Sequence, residues 1–149
     1  FREAGVRTEA VARDPEAASG VALILVDEGG ENAIAVAPGA NARLAPEDVD
    51  RAEAAIRTAD VVVLQLEVPL PTVLHAIRLA KRHGRRVILN PAPAAPVPDE
   101  ALAMVDFLTP NETEAEMALG GGAAGLGGIA ATAEALRAKG IWVGVALVL

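Results

Sequence analysis

The sequence predicts an α/β fold built on a parallel sheet, and three observations carry that prediction. Apolar runs with strand character recur at Val61–Leu66, Arg86–Leu89 and Val105–Thr109. The segments between them have helical spacing, and strand–helix alternation demands a parallel sheet because parallel neighbours need a long crossover. Each run then ends on polar residues: Glu67, Asn90, and Asn111 after Pro110. In an open parallel sheet ligands bind beyond the carboxyl ends of the strands. The three polar residues are therefore expected on one rim.

Size and composition fit this class. A chain of 149 residues, 52% hydrophobic, can bury a core as one unit. There is no cysteine, so disulfides and thiolate zinc sites are excluded, which suits a cytoplasmic location. The net charge of -7 argues against a nucleic-acid surface. The longest apolar run, Ile141–Leu149, is shorter than the roughly 20 residues that span a bilayer. No membrane partner is expected. Phe1–Gly5 reads as the tail of a helix, and Ile141–Leu149 as an uncapped strand. Both ends are expected to be cuts in a larger protein.

The elements follow in order. Val6–Val11 reads as a short strand. Val21–Val26 and Ala33–Ala37 flank the turn chemistry of Asp27–Asn32, which predicts a β-hairpin with a loop longer than two residues. Its strands lack alternation, so both faces are expected to be covered. Pro46–Arg57 reads as one helix, with Pro46 in the first turn and Val49, Ala52 and Ile56 as its buried stripe. Pro71–His83 is a second helix, with Val73, Ile77 and Ala80 facing inward and Gly84 as the stop. Asp99–Met104 is short and follows the proline-rich loop Pro91–Pro98. Asn111–Leu119 and Ile129–Ala138 complete the helices, and Gly140 ends the last.

Several motifs have a structural and a chemical reading. Asn111-Glu112-Thr113-Glu114 follows a strand and opens a helix. It reads first as a capping box, with Asn111 and Glu114 bonding reciprocally. The same helix mouth would attract phosphate, and an acid there would hold water on Mg²⁺. Glu67 is either a solvated strand end or an acceptor for sugar hydroxyls, since a carboxylate takes two donors. Asn90 precedes Pro91, which keeps it extended, and is expected to tie loop backbone. Gly120–Gly125 satisfies G-x-G-x-x-G but follows a helix, so it reads as a connector. Lys81–Arg86 reads as a solvated basic helix end. His75 and His83, eight apart on one helix, do not form a metal pair.

Taken together, Ser19–Ile24, Gly39-Ala40-Asn41, Gln65-Leu66-Glu67, Leu89–Ala94 and Leu108–Glu116 resemble the ribokinases of the PfkB carbohydrate-kinase family. The resemblance runs from about Phe1 to Gly120. It implies a ribokinase-like fold: a Rossmann-like parallel sheet with flanking helices plus a small β-hairpin lid. The lid would cover about residues 20–38 and the βα core about 46–149, as part of a larger domain. It further implies ATP-dependent phosphorylation of D-ribose at O5, with Mg²⁺ and a monovalent cation such as K⁺. Glu67 matches the family's sugar-binding glutamate, Asn111 an asparagine at the ATP phosphates, and Glu114 the acid that influences Mg²⁺. The lid would cover the sugar and pair with a second subunit's lid to give a homodimer. The family's upstream glycine motif and its Gly-Ala-Gly-Asp motif, with the catalytic base, fall outside Phe1–Leu149. Another PfkB kinase, acting on a keto-sugar acid or nucleoside, and a non-catalytic ligand-binding module are the alternatives.

Overall fold

The computed structural model describes residues 1–118 and 129–143. The Gly120–Gly125 segment read as a connector, and the residues after 143, lie outside that range. Six strands are present among the described residues: β1 Val21–Val26, β2 Asn32–Ala37, β3 Val61–Leu64, β4 Arg86–Leu89, β5 Phe107–Leu108 and β6 Trp142–Val143. The helices are α1 Pro46–Arg51, α2 Glu53–Thr58, α3 Leu70–Arg82, α4 Asp99–Leu102, α5 Glu112–Ala118 and α6 Ile129–Ala138.

β3, β4, β5 and β6 form one parallel sheet in sequence order. Leu64 registers with Leu89, and Leu89 with Leu108, so the carboxyl ends of these strands lie along one edge. Helix α3 carries Val73, Ile77 and Ala80 at helical spacing, all buried. They pack with Val87, Leu89, Leu108, Leu136 and Ile141 into the core. Burying one such aliphatic side chain is worth about 1.5–3 kcal/mol. Gly84, at φ 67, ends α3 in a conformation that glycine adopts without strain.

Asp106 locks the opposite edge of the sheet. Its carboxylate accepts from Lys81 Nζ at 2.8 Å and from the Val87 amide at 2.7 Å. Burial alone would raise its pKa. The bonds from Lys81 and Val87, with the charges of Lys81 and Arg86, outweigh burial and hold it below the usual carboxylate value.

Several expectations are corrected. The predicted helix Pro46–Arg57 is two helices, broken at Ala52, whose ψ of 3° leaves the helical well. Alanine favours helix, so the break is tertiary: α1 and α2 each lean on α3 separately, through His75–Asp50 (2.6 Å) and His83–Glu53 (2.7 Å). Val49, Ala52 and Ile56 are accordingly half-buried rather than buried. Val6–Val11 is not a strand; it is irregular and pairs with neither sheet. The basic helix end is a set of ties rather than a solvated cluster. Lys81 reaches Asp106, His83 reaches Glu53, and Arg85 donates to the carbonyls of His83 and Ala59.

The hairpin gives the largest correction. β1 and β2 pair antiparallel over six residues each, as expected. Neither face is covered, however, and all twelve residues are exposed. One face of the parallel sheet is also open. Val63, Ile88, Phe107 and Trp142 register in one row across it, and Trp142 is 66% exposed.

Candidate functional site

The site grows from the chain reversals at the carboxyl edge of the sheet. Leaving β3, the Leu66 amide donates to the Ala92 carbonyl at 2.9 Å, which joins the loops after β3 and β4. The Glu67 amide donates back to Gln65 Oε1. This turn leaves the Glu67 side chain exposed beside a cavity of about 220 Å³. Asn41, Leu44, Gln65 and Thr72 line it too. A neighbouring cavity of about 530 Å³ shares Asn41, Leu44 and Val68. Its rim is charged: Arg43 pairs with Asp14 at 2.7 Å and with Glu16 at 3.3 Å.

Asn90 stands one residue past β4. Its backbone amide donates to the Leu64 carbonyl at 2.9 Å and extends the ladder between β3 and β4, so the bond seen here is main-chain and not the expected side-chain tie. Past β5 the Thr109 amide donates to Leu89 O at 3.0 Å, and Pro110 is buried. Asn111 then caps α5. Its Oδ1 accepts from the Glu114 amide at 2.8 Å, while Glu114 accepts from the Asn111 amide at 2.9 Å and from Asn111 Nδ2 at 3.0 Å. The capping box is thus present in full. Each Glu114 oxygen accepts one of these two bonds, which leaves lone pairs free. A single hard-oxygen donor of this kind fits a Mg²⁺ that keeps its own waters and phosphates, rather than one caged by protein. Among the described residues no group of three metal-ligating side chains occurs.

Glu67, Asn90 and Asn111 all sit beyond the carboxyl ends of adjacent parallel strands. Glu67 lines a cavity; Asn111 and Glu114 line neither that cavity nor its neighbour of about 530 Å³. The sequence reading assigned no role to Asn41 or Thr72, although both face the Glu67 cavity. The signal for Asn41 was the tight Gly39-Ala40-Asn41 string at the hairpin exit. Thr72 offered none, since a threonine in a first helical turn is commonplace.

Compared with known proteins, residues 1–146 match the pfkB family of carbohydrate kinases. The chain belongs to that family. A ribokinase of Staphylococcus aureus is 47% identical over 80% of this chain and 40% of its own length. A deoxyribokinase of Salmonella typhi is also 47% identical, over 78% of this chain and 38% of its own. The structure of Arabidopsis thaliana ribokinase complexed with ribose and ATP superposes with a TM-score of 0.64 at 26% identity, over 86% of this chain and 41% of that one. The fold is ribokinase-like. This pfkB chain spans about two fifths of the length of the curated relatives it matches. No helix among its described residues is long and apolar enough to cross a membrane.

Proposed function

We propose that the full-length protein is an ATP-dependent sugar kinase that phosphorylates D-ribose at O5. The observation that carries this is the exposed carboxylate of Glu67 beside a sugar-sized cavity at the carboxyl edge of the sheet, in a pfkB chain. Phosphoryl transfer needs positioning and charge stabilisation more than covalent chemistry. Glu67 accepts two sugar hydroxyls and orients the ring. Asn111, past the end of the next-but-one strand, serves the ATP phosphates from the same edge. Glu114 would hold a water of the Mg²⁺, whose charge would offset that of the nucleotide phosphates. Activation by K⁺ belongs to this reading, and no residue of this chain is assigned to it. The reading also places no catalytic base among residues 1–149.

The hairpin acts as the lid over the sugar, and its uncovered apolar faces dock on the lid of a second copy. Support for this comes from Leu23, Ile24, Leu25, Ile34 and Val36, each more than half exposed. An apolar surface of this kind is a contact surface awaiting a partner.

ATP-dependent phosphorylation of ribose, measured against 2-deoxyribose, fructose, ketodeoxygluconate and adenosine, tests the proposal. Ribose is expected to give the highest kcat/KM. A 2-deoxyribose preference would shift the substrate to the deoxy sugar, as the equally similar deoxyribokinase suggests. Turnover of none of them would end the kinase reading in favour of a ligand-binding module.

A further inference from the structure

Thr72 is a buried polar residue amid aliphatic neighbours, 2% exposed. A hydroxyl costs free energy to bury unless it is bonded, and valine would fill the same space without that cost. The Thr72 hydroxyl donates to the Leu44 carbonyl at 2.7 Å, across 28 residues of sequence. Each end of that bond leads to part of the site.

On one side, Leu44 closes the 3₁₀ turn Gly39–Arg43 that leaves the hairpin. The root of the hairpin is packed backbone on backbone. The Ala40 amide donates to Ala18 O at 2.8 Å. A Cβ at Gly39 would stand 2.4 Å from Ala18 O, and one at Gly20 would stand 2.8 Å from Pro38 O. Nothing larger than glycine fits either place, so the hairpin root and the turn move together. On the other side, Thr72 sits in the first turn of α3, with Pro69 and Pro71 stiffening the entry from the Glu67 loop. Leu44 and Thr72 line the same cavity as Asn41 and Glu67.

We propose that Thr72 is a positioning residue: its buried hydroxyl fastens the hairpin root to the loop that carries Glu67, so that lid placement and sugar capture share one geometry. This rests on the sugar-kinase reading and adds to it a residue whose hydroxyl proton goes to the Leu44 carbonyl rather than to the sugar.

The test uses the full-length protein with Thr72→Val, which keeps the shape and removes the donor, and Thr72→Ser, which keeps the donor. Loss of one buried hydrogen bond predicts a rise in sugar KM of roughly fivefold to tenfold for Thr72→Val. The KM for ATP stays within about twofold and Thr72→Ser restores the sugar KM. An unchanged sugar KM, an equal rise in both KM values, or a Ser variant as impaired as the Val variant overturns the proposal. Should Thr72→Val not fold, Thr72→Ala, which leaves room for water at the Leu44 carbonyl, is read by the same criteria. Hydrogen exchange separates this proposal from the sugar-kinase reading. Thr72→Val is expected to speed exchange at the Ala40 and Leu44 amides while Ile77 and Ala80 stay protected. Unchanged exchange at the root overturns the tie, whether or not the wild type turns over ribose.

Discussion

The hairpin and the α3 core are built from similar residues and end in opposite environments. Val21–Val26 is as apolar as the inward face of α3, yet Leu25 is 73% exposed and Ile77 is 0% exposed. The difference lies in what the neighbouring sequence supplies. α3 is flanked by strands of matching register, and its apolar stripe closes on Val87, Leu89 and Leu108. The hairpin supplies both its own strands, and among the described residues it has no third element to lie on. Hydrophobic composition therefore predicts burial only where topology brings a second surface.

Substitutions in the two regions should separate them most strongly. Ile77→Ala is expected to lower stability by about 2–5 kcal/mol in urea unfolding, because it leaves a cavity in a packed core. Measured on the monomer, Ile24→Ala should cost under about 0.5 kcal/mol, as for surface substitutions elsewhere. Ile24→Asp should leave the fold intact and abolish self-association in sedimentation. A hairpin as sensitive as the core would mean that it packs on its own chain.

Glu67→Gln comes next in size. Losing a charge-assisted acceptor costs about 1.5–3 kcal/mol of sugar binding, which is roughly 10- to 150-fold in kcat/KM. The urea midpoint should not move, since Glu67 is exposed and outside the core. Asn111→Ala acts on both properties. It should remove about 1 kcal/mol of stability through the lost cap, and weaken ATP more than ribose in steady-state kinetics. A loss confined to stability would make Asn111 a cap and nothing more.

The smallest effect is the acid limb of the stability curve. Asp106 is held below its unfolded value, so its contribution is full above about pH 3.9 and fades as pH falls through its folded pKa. Asp106→Asn should be less stable than wild type at neutral pH, and the gap should narrow toward pH 2 in thermal melts. A constant gap would show that packing, and not charge, accounts for the loss.

Much of this was legible in the sequence where local rules and topology agree. The strand–helix alternation, the stop at Gly84, the α5 cap by Asn111 and Glu114, and the rim position of Glu67 all follow from periodicity and end signals. What escaped was set by distant residues. The break at Ala52 answers to His75 on α3 and His83 at its C-cap, and the ties of Lys81 and Arg85 answer to Asp106 and Ala59. The open row of Val63, Phe107 and Trp142 shows the same limit: a parallel strand's pattern says that both faces want cover, not that both receive it.

A structure of the full-length protein with ribose and a non-hydrolysable ATP analogue tests the central claim most directly. The account predicts both Glu67 carboxylate oxygens within hydrogen-bond distance of ribose hydroxyls, with the nucleotide phosphates against Asn111 along the same edge of the sheet. Ribose bound away from Glu67, or phosphates on the opposite edge, would contradict it.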